Sequence, residues 1–217
     1  MFEKATYKEQ AYNYLLQLIL NNGLEPSKIY SERYFAELMG ISRTPVREAI
    51  LHLAQEGYIQ IMSNRGIMLK ELTQQEIHDI LEMRTAVEGY CAMFASGKKE
   101  SEGWKELCNK LESYIKTEEE IANTTGNADE FIKNDLEFHF AIIDFCRNQK
   151  MKEVIVNIRN QINSIGIKSF HKETRMQDTV KEHRKIAEAI KEGNPQKALE
   201  FMKEHLISCE RVLNDEE

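Results

Sequence analysis

The chain has 217 residues, 41% of them hydrophobic and 30% charged, with a formal net charge of −7 at pH 7. That much apolar content can bury a core, which excludes a disordered chain, and no apolar run approaches the roughly 20 residues that span a bilayer. Three prolines and ten glycines point to a helix-dominated protein, and the length suits two modest domains.

The charge is unevenly spread. Residues 1–70 carry eight Lys/Arg against seven Asp/Glu, whereas the rest carries 21 against 29. A nucleic-acid contact in the first part would therefore rest on the placement of a few arginines and on two copies of the chain. The four cysteines, Cys91, Cys108, Cys146 and Cys209, lack CxxC spacing and read as reduced thiols, neither a zinc knuckle nor a disulfide framework. With no leader sequence, the expected location is cytoplasmic.

Thr6-Tyr7-Lys8-Glu9 is a capping box that opens a first helix, expected to run to Asn22 with Gly23 as its stop. A short helix follows over Ser31–Met39, ended by Gly40. After the turn Gly40-Ile41-Ser42 a second helix begins, with Ser42 as its expected cap. Pro45 falls in its first turn, where a missing N–H costs little. Arg43, Thr44 and Arg47 crowd the entrance of this helix. That end of a recognition helix enters the major groove, and a guanidinium fork suits phosphate or the guanine edge. Phe35, Ala36, Met39, Val46, Ile50 and Leu53 recur at helical spacing as the core beneath. Tyr58–Ile61 and Ile67–Leu69 read as two short strands joined by the turn Ser63-Asn64-Arg65-Gly66, a wing with Arg65 at its tip.

This stretch resembles the DNA-binding domain of the GntR family of bacterial regulators. The resemblance rests on Ser31-Glu32-Arg33, the run Leu38–Ala49, Glu56-Gly57 and Gly66. It implies DNA contacts at Arg33, Arg43, Thr44 and Arg47, with Arg65 and Gly66 in the wing. Tyr30 stands where that family usually has proline, a departure expected to alter the loop and not the contacts.

From Thr73 onward every element reads as helix. Thr73-Gln74-Gln75-Glu76 is another capping box, opening a long helix closed by Gly97. Further helices are expected over 102–122, 128–147, 151–170, 178–192 and from Pro195 to about Leu213. Asp135 and His139, four apart, share a helix face with Phe131, Ile132 and Ile142. His183 shares one with Ile186 and Ile190, and His205 one with Phe201 and Met202. Three helices thus each aim a histidine inward and one adds a carboxylate. Burying such groups is costly unless they pair or hold a metal. The set suits a divalent ion, zinc first, or nickel, manganese or iron, with open positions for water or a ligand. His52, His78 and His171 receive no role.

This half resembles the FadR C-terminal ligand-binding domain, the FCD subgroup of GntR regulators. The motifs are Asp135–His139, Glu182-His183-Arg184, Lys203–Leu206 and Arg84 with Glu88. The resemblance implies a divalent metal on Asp135, His139, His183 and His205, and a small organic acid on or beside it. Arg84 is then either the clamp of that carboxylate or the ion-pair partner of Glu88 along the helix.

The expected protein is mainly α: a winged helix-turn-helix over 1–72 and an all-α effector-binding and dimerisation bundle of about six helices over 73–217. The expected function is a metabolite-responsive regulator, a repressor in the first reading, that grips a pseudo-palindromic double-stranded DNA operator as a homodimer. A metal-sensing regulator, or one whose metal is structural, is the alternative. A metal-dependent hydrolase is the rival from another class. It lacks a nucleophile motif, a phosphate-binding glycine loop and an independent general base, so no enzyme is expected.

Overall fold

A computed structural model describes residues 6–20, 23–25, 27–63, 65–170 and 174–214. Asn22, Asn64 and His171 lie outside the described residues. The fold is mainly α, and the chain divides into two compact units, Met1–Leu72 and Thr73–Glu217.

The first unit holds helices α1 (Tyr7–Leu20), α2 (Glu32–Met39) and α3 (Arg43–Gln55), then strands β1 (Ile59–Met62) and β2 (Gly66–Leu69). The Thr6 capping box is formed: Glu9 N–H donates to Thr6 Oγ1 at 3.2 Å, and Thr6 N–H to the Glu9 carboxylate at 2.7 Å. Ser31 caps α2 by accepting from Tyr34 N–H, and Gly40 ends it at φ 66°. The apolar positions of α1, α2 and α3 close over one core, with Leu15, Phe35, Val46, Ile50 and Leu53 almost fully buried. One expectation fails locally. Ser42 holds the N-cap position of α3 with extended backbone, but its side chain makes no capping bond. The position is exposed, so water can serve the free N–H groups of the first turn.

β1 and β2 pair antiparallel with Ile59 opposite Leu69 and Met62 opposite Gly66. Tyr30 adds a rung, exchanging both backbone hydrogen bonds with Ile67 at 2.8 Å. A proline there could not donate its half. The departure at Tyr30 therefore adds a second hydrogen bond to the link between the chain before α2 and the wing. Gly66 shows how close that approach is. Its φ is +133°, and a Cβ would lie 2.2 Å from the Tyr30 carbonyl oxygen.

The second unit holds, among the described residues, α4 (Gln74–Gly97), α5 (Trp104–Asn123), α6 (Ala128–Phe145), α7 (Gln149–Asn157), α8 (Arg159–Phe170), α9 (Arg175–Glu192) and α10 (Pro195–Asn214). The Thr73 capping box fixes the start of α4, with both reciprocal bonds present. α4 packs on α6, α9 and α10, with Leu199 of α10 seated over Gly89. The stretch 151–170, expected as one helix, is two. Ile158 breaks it at φ −106° and ψ 6°, donating to the Ile155 carbonyl in a tight turn. The β-branched run Val154-Ile155-Val156 and Ile158 weakens helix propensity there.

Candidate metal centre and candidate nucleic-acid interface

Asp135 and His139 come from α6, His183 from α9 and His205 from α10. All four are buried, His183 completely. One ligand atom from each lies within 4.8 Å of the others. The three imidazoles form a near-equilateral set, with ring centroids 5.2, 5.1 and 4.7 Å apart. Phe138 stacks on His183 at 4.0 Å between centroids, which holds that ring in place.

Each histidine turns its Nδ1 toward a carboxylate on another element. His183 Nδ1 meets Glu118 at 2.9 Å, and His205 Nδ1 meets Glu182 at 2.8 Å. Glu88 Oε2 lies 2.6 Å from His139 Nδ1, and His139 Nε2 is buried without a hydrogen-bond partner. His183 Nε2 is also buried without a hydrogen-bond partner. It lies 3.6 Å from Asp135 Oδ1, and His139 Nε2 lies 4.0 Å from the same oxygen. Carboxylates behind the Nδ1 atoms leave Nε2 free for a metal, the usual arrangement behind metal-bound histidine. The orphaned buried nitrogens are the feature that such an ion would satisfy. Metal–nitrogen bonds of about 2.0–2.1 Å would draw these ligand atoms closer together.

Burial opposes ionisation of Asp135, but His139, His183, His205 and Arg84 outweigh it and hold its carboxyl below the ordinary range. For His183, burial disfavours the cation, yet Glu118 and Asp135 raise its pKa. His205 is pushed well down by burial and by the neighbouring His183, His139 and Arg175. The centre is charge-dense. Arg84, Glu88, Glu118 and Asp135 are all buried, and Arg175 pairs in fork geometry with the largely buried Glu182 at 3.0 and 3.0 Å. Two guanidiniums thus face four carboxylates.

Arg84 donates to Glu88 from Nε at 2.6 Å and from Nη2 at 3.3 Å, so the ion pair along α4 is formed. The same Arg84 also lines a small cavity with Asp135 and His205.

In the first unit, Arg33, Arg43, Arg47, Arg65 and Gly66 line one open groove. Thr44 is exposed in the first turn of α3. The arginine side chains are exposed where their ion pairs are formed, Arg33 to Glu37 at 2.6 Å and Arg43 to Glu32 at 3.3 Å. Arg47 lies 3.8 Å from the same Glu32. Exposed pairs of this kind are weak and can be exchanged for phosphate.

The model of the FCD domain matches residues 79–208, and that of the bacterial regulatory proteins, gntR family, matches residues 7–69. The chain belongs to the GntR family, with an FCD domain. The HTH-type transcriptional regulator YdhC of Bacillus subtilis is 27% identical over 95% of this chain and 91% of its own. The HTH-type transcriptional repressor RspR of Escherichia coli is 25% identical over 91% and 85%. A GntR transcriptional regulator of Rhodococcus superposes with a TM-score of 0.75 at 17% identity, covering 98% of this chain and all (100%) of that one. Lar of Listeria monocytogenes superposes at 0.67 with 23% identity over 100% of both. The domains and relatives are those of transcriptional regulators, not enzymes, and no helix among the described residues is long and apolar enough to cross a membrane.

In this GntR-family chain the four expected ligands converge, and five of the six expected DNA contacts share a groove. Sequence reasoning gave no role to Glu88, Glu118 or Glu182 as partners of the ligands, nor to Arg175. Glu118 left a signal. It continues the apolar stripe Leu107, Leu111, Ile115 of α5, a position where an unpaired carboxylate is costly.

Proposed function

We propose that this GntR-family regulator holds a divalent metal on Asp135, His139, His183 and His205, and that a small organic acid bound beside the ion changes operator binding. The observation that carries this reading is the convergence of four buried ligand atoms within 4.8 Å, with Nε2 of His183 left unpaired. Charge supports it. Two guanidiniums face four carboxylates there, an excess of negative charge that a divalent cation would offset. The ion would supply a Lewis-acid site for a carboxylate oxygen, and Arg84 a second, hydrogen-bonding anchor.

Arg33, Arg43, Thr44 and Arg47, with Arg65 and Gly66 of the wing, would contact a double-stranded operator. A homodimer places two such faces on a pseudo-palindromic site. Repression is the favoured direction, since the relative RspR is named a repressor. The ion identity favoured by three imidazoles and one carboxylate is zinc, then nickel, manganese or iron.

The test is metal analysis of the purified chain followed by chelation and reloading. Thermal unfolding and binding to an operator selected from random DNA are then measured with and without organic acids. Stoichiometric metal, a lower unfolding midpoint after chelation, and an acid effect on operator affinity that needs the metal are expected. An acid at about 100 times its dissociation constant adds roughly 2.7 kcal/mol. A chain that binds no divalent ion, or whose operator affinity ignores every acid tested, sinks the reading.

A further inference from the structure

Away from the metal ligands, two of the four free thiols meet. Cys91 on α4 is fully buried, and Cys146, which ends α6, is half-buried. The Cys146 S–H donates to the Cys91 carbonyl oxygen at 3.7 Å, joining positions 55 apart in the chain. Met151 of α7 brings a third sulfur, its Sδ 3.9 Å from Cys91 Sγ. Arg147, next after Cys146, has φ 51°, so Cys146 sits where the helix turns off. A residue at a helix end shifts more readily than one held in mid-helix. The Cys91 side chain holds the Cys146 thiol below its ordinary range against the opposing effect of burial. The same contact, together with burial, pushes the Cys91 thiol up. Burial also pushes up the other two thiols, Cys108 and Cys209, and Cys209 takes a hydrogen bond from Arg175 at 3.2 Å. Thiolate character combined with partial exposure is what makes a cysteine reactive. A second thiol beside it is placed to resolve the oxidised form.

We infer that Cys91 and Cys146 form a second site, a dithiol that hydrogen peroxide converts to a disulfide tying α4 to the end of α6. Cys146 gives up its proton and its sulfur attacks one peroxide oxygen. The S–O bond forms, the O–O bond breaks, and the departing hydroxide takes up that proton as water. Cys91 then loses its proton and attacks the Cys146 sulfenic sulfur. The S–S bond forms, the S–O bond breaks, and the second hydroxide leaves as water with the Cys91 proton. The two thiols are oxidised by two electrons and the peroxide is reduced to two waters. Cys146 is the attacking residue because it is the exposed member of the pair, and Cys91 the resolving one because the oxidant does not reach it directly.

The experiment treats the reduced, full-length chain with a small excess of hydrogen peroxide, alkylates the remaining thiols, and maps the digested protein by mass spectrometry. Expected is the loss of two thiols and two hydrogens, a peptide carrying Cys91 joined to one carrying Cys146, and full reversal by dithiothreitol. Cys108→Ser should behave in the same way. Cys91→Ser should stop at a sulfenic acid on Cys146 that dimedone traps, and Cys146→Ser should leave Cys91 unreacted. A disulfide between any other pair, oxidation of Met151 without a disulfide, or survival of all four thiols overturns the inference. Thermal unfolding supplies a second readout. A bond that closes a loop of 55 positions between helices already in place should raise the midpoint by several degrees. An unchanged or lower midpoint in the oxidised chain would mean that the helices must leave their packing to form the bond, and the pair would then not be a preformed site.

Discussion

Glu118 is the residue on which the centre turns most quietly. It is fully buried, touches no metal ligand atom that would face an ion, and fixes His183 through Nδ1 at 2.9 Å. An anion behind the ring sets the tautomer and raises the basicity of Nε2. Glu118→Gln keeps the shape and removes the charge. We expect metal affinity about 10–100-fold weaker, read by competition with a chromogenic chelator. Glu119→Gln, one position along and paired on the surface with Arg184, should leave that affinity unchanged. Equal affinities in both variants would reduce Glu118 to a packing role. Gly66 is the corresponding residue in the wing. A side chain at φ +133° is strained by about 1–3 kcal/mol, and a Cβ 2.2 Å from the Tyr30 oxygen must also push β2 away from Tyr30. Gly66→Ala should lower the unfolding midpoint of the first unit by several degrees in calorimetry. An unchanged midpoint would mean that the Tyr30–Ile67 rung gives way at no cost.

At the scale of elements, what the sequence disclosed depended on whether a local signal existed. The caps at Thr6 and Thr73 were legible because a capping box is a four-residue chemical pattern, and the ladders of hydrogen bonds follow it. The inward faces of α6, α9 and α10 were legible because helical spacing puts Asp135 beside His139 and each histidine among apolar side chains. The division of 151–170 was not, since neither glycine nor proline marks Ile158 and only β-branched crowding distinguishes it. Nor could the pairing of Glu118 with His183 be read, because it joins α5 to α9 across 65 positions and depends on how the helices pack. The Thr73 cap offers a quantitative check. Thr73→Ala removes the side chain that accepts from Glu76 N–H and that the Glu76 carboxylate answers. About 1 kcal/mol should be lost, a fall of roughly 2–4 °C for a chain of this size. No fall would mean that the first turn of α4 is held by its packing alone.

At the scale of the whole molecule, the chain joins a unit rich in exposed arginines to a unit with a charge-dense interior. The reading of a ligand-controlled regulator requires that the two be separable in mutation and coupled in thermodynamics. Arg47→Ala removes a guanidinium from the groove and leaves the residues of the second unit unaltered. Operator affinity should collapse, and the salt slope of any residual binding should fall by about one, while the affinity for metal and acid stays as before. His139→Ala does the reverse. It removes one of the proposed ligands, so the acid should lose its influence while operator affinity without acid stays within a few-fold. Coupling then imposes reciprocity. If the acid weakens operator binding ten-fold, saturating operator must weaken acid binding by the same factor, which titration of the acid into the preformed DNA complex measures directly. A His139→Ala chain that still releases DNA in response to the acid would leave the metal a purely structural part. The effector would then have to bind somewhere other than beside Asp135, His183 and His205.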